Sequence, residues 1–381
     1  MLDGVGIGPA PDTDTYGDTG SDTLGNVARA VGGLRLPNLE RLGLGCCAEI
    51  AGVAAVPEPQ AAYGHAIPAS AGKDSTTGHW ELCGLTLADP FKTYPAGFPP
   101  EFVSALTGAT GRGVLGNRAA SGTEIIAELG PEHVATGKWI LYTSADSVCQ
   151  LAAHEEVVPV EELYQACETA QRLLVGPESV LRVIARPFTG RPGSWTRTPQ
   201  RKDFSLEPPG ETLLDRLASR HIPRVGIGKV DDLFAGRGIT SVHPATNAEA
   251  YFMIAGALRA MHQGFLFANV IEFDQSWGHR NDVPGYHQGL LALDAAVPGL
   301  LAPVRDEDLV IITADHGNDP TTPSTDHSRE RVPVLALGPR VRCRALGERR
   351  SFADVGQTVA EFFGVPPLAA GLSFLAEIWN G

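Results

Sequence analysis

Acids and imidazoles gather in two stretches of the carboxyl-terminal third of this chain. Ile311 to Glu330 reads IITADHGNDPTTPSTDHSRE: an apolar run (Leu309, Val310, Ile311, Ile312) ends in Asp315 and His316, and a loop rich in Gly, Asn, Pro and Thr leads on to His327. The run from Gly264 to Phe273 ends in Asp274, with His279 five positions further. At the other end of the chain, Asp3 stands before a Gly-rich turn. Carboxylates and imidazoles at the mouths of buried strands are the parts of a divalent-metal site. One cation with an open position needs about three protein ligands, so Asp3, Asp274, His279, Asp315, His316 and His327 suffice for two. Such an Asp/His mixture suits manganese, zinc or iron better than calcium, which prefers an all-oxygen shell. His65, His133, His221, His243, His262 and His287 lack comparable company and are read as structural.

A second chemical candidate is Ala71 to Gly84, AGKDSTTGHWELCG. Ser75, Thr76 and Thr77 lie between Asp74 and Gly78-His79, ahead of an apolar stretch. Two readings fit: an ordinary helix cap by Ser or Thr, with Glu81 further on, or a hydroxyl nucleophile at a helix N-terminus, where backbone N–H groups favour a phosphate. The two are compatible. A third candidate is the loop GRPGSWTRTPQRKDFSLEPPG, which gathers Arg191, Arg197, Arg201 and Lys202 in an acidic protein. It is either a solvated loop or a phosphate-binding one.

The elements that must position these residues follow from the hydrophobic pattern. The 381 residues are 43% hydrophobic, enough for a large core divided among two or three structural units. A net charge of −14 argues against nucleic acid and anionic membrane as partners. No stretch reads as a membrane span or a signal peptide, so a cytoplasmic protein is expected. Six scattered cysteines (Cys46, Cys47, Cys83, Cys149, Cys167, Cys343) form no C-x-x-C pair and read as reduced thiols.

Strands are expected at Trp139–Thr143, Val180–Ala185, Arg224–Gly228, Gly264–Phe273, Leu309–Ile312 and Val332–Leu337. Helices are expected at Val160–Leu174, Glu211–Arg220, Glu249–Gln263, Tyr286–Leu300 and Ala353–Phe363, with a shorter one over Leu34–Leu44. Alternating strands and helices argue for a doubly wound sheet, which places its chemistry outside the carboxyl ends of the strands. Asp3, Asp274 and Asp315 all fall at such ends. Only Met1 and Leu2 precede Asp3, where a whole strand would ordinarily stand: either that strand is very short, or the recorded start lies inside a longer chain. Asp89 to Pro100, rich in Pro, Gly and aromatics, reads as a linker into a mixed unit that ends before Pro208-Pro209.

Taken together, DGVGIGPAPD, GDTGSDTLGN, GKDSTTGHWE, YTSADSVCQLAAHEE, ARPFTG, RKDFSLEPP, GKVDDLFAGRGIT, FDQSWGHRND and TADHGNDPTTPSTDHSRE span almost the whole chain. In these segments the sequence resembles the phosphopentomutase branch of the alkaline phosphatase superfamily. The resemblance implies an α/β fold: an alkaline phosphatase-like core (1–88 and 207–381) around a central, mostly parallel sheet flanked by helices, and an inserted α+β cap (89–206). It implies two manganese ions, with other divalent cations as alternatives. One would be held by Asp274, His279 and His327, the other by Asp3, Asp315 and His316. The family's phosphorylated residue is a threonine directly after Lys-Asp, and Ser75 stands there in this chain.

The same resemblance implies an isomerase of nucleoside catabolism, a phosphoprotein that interconverts (deoxy)ribose 1-phosphate and 5-phosphate through a phosphoserine enzyme and a 1,5-bisphosphate. A sugar bisphosphate would activate it, and the cap would exclude water from the phosphoenzyme. Ser144, Asp146 and Val148 would face the sugar, and Arg182, Arg197, Arg201 and Lys229 the distal phosphate. The competing readings are a phosphatase or phosphoglycerate mutase on the same metal core, and a non-catalytic paralogue that binds metal or sugar phosphate without turnover.

Overall fold

The structure is a computed structural model and describes residues 1–144 and 147–380. It divides into two compact units, one formed by 1–89 with 208–381 and the other by 90–207.

The first unit is built on parallel strands. Phe265–Ala268 runs parallel to Arg224–Ile227, which runs parallel to Ser241–Val242. A second sheet has the order Val310–Ile312, Val332–Leu337, Ala62–Ala66, Ala345–Arg349. Only Val332–Leu337 opposes its neighbours in direction. Leu2 links the two sheets by parallel bridges to Val270 on one side and Ala314 on the other. The long helices Asn247–Ala260 and Val283–Leu301 pack on each other, as Ala353–Phe362 does on Leu213–Ser219 and Ser75–Leu82. Val332–Leu337 is buried throughout, which explains why it reads as a continuous apolar run without the alternation of a half-exposed sheet.

The apolar run Gly264–Phe273 does not stay in strand throughout. The chain leaves the sheet at Asn269, and Phe273–Trp277 forms a π-helical turn, so Asp274 sits on that turn and not on a strand end. Phe273 earns its hydrophobicity by packing against Trp277 and Tyr286, ring centroids 5.3 Å away in each case. A short apolar run cannot by itself report which period it follows. The helix expected over Leu34–Leu44 is confined to Pro37–Leu42, with proline at its first turn and Gly43 ending it at φ 104°.

The second unit has a mixed six-stranded sheet, with Val114–Ala119, Trp139–Thr143, Val148–His154, Arg182–Arg191 and Ser194–Arg197 in that order. Lys202–Ser205 pairs with the free part of Arg182–Arg191. The basic loop of the sequence is therefore mostly strand. The expected linker is also partly core: Tyr94 and Phe98 are buried and stack in series with Phe102, at centroid distances of 4.4 and 5.0 Å.

Glu330 ties three distant segments of the first unit together. Its buried carboxylate accepts from the backbone N–H of Gly8 and Thr23 and from the hydroxyls of Thr23 and Ser328. Burial pushes the carboxyl up to about 7, against the opposing pull of the Thr23 and Ser328 hydrogen bonds. A folded-state value above the unfolded one means stability is fully present below about pH 4.3 and is lost as pH rises toward 7. Glu330→Gln can keep both backbone donors on its carbonyl oxygen and turn its amide toward the two hydroxyls. It is expected to flatten the decline in unfolding free energy between pH 5 and 7, worth about 3 kcal/mol at most. Glu330→Ala leaves two buried N–H groups unpaired and should lower stability at every pH. Denaturant unfolding of both variants across that range is the measurement.

Candidate metal centre

Asp3 follows Leu2 out of the cleft between Val270 and Ala314, and is completely buried. Asp315 and His316 emerge just beyond Val310–Ile312, and the loop to Ser328 folds back so that Gly317 pairs with Ser328. That pairing returns His327 to the mouth of the same strand. Asp3, Asp315 and His316 place ligand atoms within 4.8 Å of one another, and so do Asp274, His316 and His327. His279 joins the second group through Asp274, Nε2 to Oδ1 3.3 Å. The His327 ring lies 4.7 Å from that of His279 and 4.3 Å from that of His316, centroid to centroid.

Ser75 opens the helix Ser75–Leu82, and its Oγ lies 3.4 Å from Asp3 Oδ1 and 3.0 Å from His316 Nε2. Capping belongs to Asp74, whose carboxylate accepts from Thr77 N and Thr77 Oγ1. Ser75 is thus released from the capping duty that its sequence position suggested. Glu81 is not part of the cap either; it accepts from Ala69 N, Ser70 N, Ser351 Oγ and Phe352 N. The helix can approach the metal-site loop because residue 78 is glycine: a Cβ there would lie 2.1 Å from the Asp315 carbonyl oxygen.

Lys229, expected at the distal phosphate, is instead part of this centre. Its Nζ lies 2.7 Å from Asp3 Oδ2, 3.5 Å from Asp274 Oδ2 and 3.3 Å from Ser75 Oγ. The cause is charge: three buried carboxylates converge here and attract the ammonium at the end of Arg224–Ile227. Burial alone would lower the Lys229 pKa, but Asp3 and Asp274 raise it above the ordinary lysine value. Burial likewise disfavours charge on His316, and Asp315 and Asp3 outweigh it, holding the imidazolium up to about 10. Asp274 and Asp315 are held well below the usual carboxylate range despite burial, by Lys229 and His327 in the first case and by His316 and His79 in the second.

His79, Asn269 and Asn318 carry no mark in the motif reading, yet all three touch the centre. His79 Nδ1 lies 2.7 Å from the Ser75 carbonyl and 3.1 Å from Asp315 Oδ2. Asn269 donates to Asp3 Oδ2, and Asn318 to Asp274 Oδ1. The i, i+4 spacing of Ser75 and His79 on one helix face was the available signal for the first. Nothing local announces the asparagines.

The residues fit divalent cations. Three carboxylates and three imidazoles offer oxygen and nitrogen donors with surplus negative charge. Asp315 Oδ2 is buried and receives no hydrogen bond, since the nearest imidazole nitrogen is aimed at the Ser75 carbonyl. A buried carboxylate oxygen without a donor is costly unless a cation meets it.

In the second unit, Ser144, Val148, Arg182, Arg197 and Arg201 line one cavity of about 320 Å³, together with Gln150 and Arg186. Asp146 lies outside the described residues. Arg186 is half-buried and hydrogen-bonds Gln150. Arg201 and Arg182 share Asp203, at 2.7 and 3.6 Å. Among the described residues, Arg182, Arg186, Arg197 and Arg201 line this cavity, and the Asp203 carboxylate pairs with two of them. Sequence reading passed over Arg186 because it sits in a strand, away from the basic cluster.

The fold and this centre define a metal-dependent enzyme: residues 1–367 match the family model of the Metalloenzyme superfamily. A phosphopentomutase of Dictyoglomus turgidum is 53% identical over 100% of this chain and 97% of its own length. One from Anaeromyxobacter sp. is 53% identical over 99% and 97%, and one from Clostridium novyi 50% over 99% and 97%. The chain belongs to the phosphopentomutase family. A protein of solved structure from Pyrococcus horikoshii shares the fold, with a TM-score of 0.50 at 16% identity over 96% of both chains.

Proposed function

We propose that the chain interconverts pentose 1-phosphates and 5-phosphates, with Ser75 as the residue that carries phosphate between half-reactions. The observation that carries this reading is the position of Ser75 Oγ at the junction of Asp3, His316 and Lys229, on a helix N-terminus. Asp274, His279 and His327 would hold one cation and Asp3, Asp315 and His316 the other. We take manganese as the metal on the Asp/His donor set. When bound, the cations neutralise charge on the transferring phosphoryl oxygens.

The chain's own part is positioning. Lys229 faces the serine oxygen and offers the phosphoryl group a hydrogen-bonding cation. His79 holds the first turn of the helix through the Ser75 carbonyl. In the forward direction, the bond from phosphorus to Ser75 Oγ breaks as a bond to the sugar's 5-hydroxyl oxygen forms, giving a 1,5-bisphosphate. The phosphate on C1 then passes to Ser75, which regenerates the phosphoenzyme and leaves the 5-phosphate. Each half-reaction is an in-line displacement that demands little covalent help from the protein. A sugar bisphosphate would activate a dephosphorylated chain by supplying the first phosphate.

The arginine-lined cavity of unit 90–207 supports the role of that unit in substrate recognition, with surplus positive charge suited to a phosphate dianion. Arg186→Met is expected to raise KM for ribose 1-phosphate about 10-fold or more with a smaller change in kcat; steady-state kinetics checks it. No helix among the described residues is long and apolar enough to cross a membrane. Six free cysteines, four of them buried, favour a reducing compartment, and we place the protein in the cytoplasm.

The decisive assay follows ribose 1-phosphate to ribose 5-phosphate with manganese and a trace of sugar bisphosphate, after chelation and again after metal is returned. Activity lost and restored with the metal supports the reading. Turnover of 3-phosphoglycerate in place of pentose phosphate, or turnover untouched by chelation, would sink it.

A further inference from the structure

The segment that delivers Ser75 to the metal centre is irregular from Ile67 to Asp74, yet its backbone is firmly held. Ala69 N and Ser70 N donate to the Glu81 carboxylate, and Ala71 N donates to Leu87 O. The carbonyls on the other side go to one side chain, the buried Arg329. Its Nη1 donates to Ser70 O and Gly72 O at 2.6 Å each, and its Nη2 to Pro68 O at 2.9 Å. The remaining donors meet Asp12, Nε to Oδ1 at 3.1 Å and Nη2 to Oδ2 at 2.9 Å. A guanidinium carries five N–H groups, and Arg329 makes five hydrogen bonds.

Arg329 stands two positions after His327, so one side chain joins the loop that returns a metal ligand to the loop that presents the nucleophile. A second tie runs beside it. Lys73 Nζ lies 2.9 Å from Asp18 Oδ1 and 3.3 Å from Asp326 Oδ2. Asp18 Oδ2 also accepts from Arg329 N at 2.8 Å, and Asp326 Oδ1 lies 3.3 Å from His327 Nδ1. A carboxylate on the far nitrogen of a metal-binding imidazole fixes which nitrogen faces the cation.

We propose that Arg329 is a positioning residue for phosphoryl transfer, one that with Lys73 sets the distance from Ser75 Oγ to the cation pair; the role depends on Ser75 being the phosphate carrier. Its donors are all engaged, which leaves none for a phosphate, so it acts through the backbone it holds. Lysine cannot take its place, because three donors on one ammonium do not span three carbonyls and a carboxylate set out for a planar fork. A displacement of about 1 Å at the reacting oxygen is enough to slow transfer about 100-fold. Both half-reactions pass through Ser75 Oγ, so both are slowed, while capture of the sugar phosphate is not.

The test compares the full-length wild type with Arg329→Lys and Asp12→Asn, each loaded with manganese. Intact-protein mass spectrometry counts the phosphorylated sites, and turnover is divided by that count. Arg329→Lys should lose about 100-fold in kcat per phosphorylated site, with KM for ribose 1-phosphate within about twofold of the wild type. Asp12→Asn should show a smaller loss in the same parameter; Asp12 is nearly half exposed, so this variant decides the matter if Arg329→Lys does not fold. A residue that only stabilises the fold would lower the melting temperature and the number of phosphorylated sites and leave turnover per site untouched. That result, or a rise in KM at unchanged kcat, overturns the role of Arg329. Ser75→Ala keeps the two readings apart: phosphate on that variant removes Ser75 as the carrier, whereas an unlabelled Ser75→Ala beside undiminished turnover per site removes Arg329 alone.

Discussion

Ser75→Ala is expected to abolish phosphopentomutase turnover, by on the order of 10⁴-fold or more, and to leave the protein without phosphate after incubation with manganese and a sugar bisphosphate. Neither neighbouring hydroxyl can take over. Thr77 Oγ1 is engaged with the Asp74 carboxylate, and Thr76 is displaced from Ser75 by about 100° around the helix axis. Intact-protein mass spectrometry should show one added phosphate on the wild type and none on the variant. The fold should survive, because the cap of this helix is Asp74 and the packing of Gly78 on the Asp315 loop is untouched. Ser75→Thr should label and turn over, since one extra methyl keeps the hydroxyl at the same distance from the helix. Phosphate found on the alanine variant would move the nucleophile elsewhere.

His316→Ala should be nearly as severe, with a loss on the order of 10³-fold or more, beyond what removal of an outer hydrogen-bond partner of a metal ligand brings. Its Nε2 is 3.3 Å from Asp3 and 3.4 Å from Asp315, and it belongs to both three-residue groups. Its loss leaves Lys229, itself partly exposed, as the ammonium facing Asp3 and Asp274. Elemental analysis should find less than one cation per chain. The thermal stabilisation that manganese gives the wild type should shrink with it, because binding stabilises only in proportion to affinity. His327→Ala, at the more exposed rim, should remove one cation and spare the other. A variant lacking His316 that still binds two cations would contradict the assignment of ligands.

The order of these effects reflects how much of the site could be read before the fold was known. Asp315, His316 and His327 are legible in a linear pattern, because an acid and an imidazole at the end of an apolar run have few structural uses there. Ser75 after Lys73-Asp74 is legible only as one of two alternatives; in the structure Asp74 takes the cap, and Ser75 Oγ lies beside Asp3 and His316. Asp274 is legible as an acid after an apolar run but not as a residue of a π-helical turn, since the apolar residues before it serve first a strand and then that turn. The aromatic run Asp89–Pro100 was mistaken for a linker because proline and glycine mask the regular stacking of Tyr94, Phe98 and Phe102.

Residue type and local spacing, then, determined the kind of chemistry, the class of fold and the candidate ligands, because strand ends, helix starts and metal donors each have short-range signatures. Tertiary structure alone decided which charges meet. Asp3 and Lys229 are 226 positions apart in the chain and their charged atoms 2.7 Å apart in space; Asn269, Asn318 and Arg186 act through contacts of the same long-range kind. Electrostatic pairing depends on distance through the folded molecule, and no local pattern encodes a separation that only the packing of several strands creates.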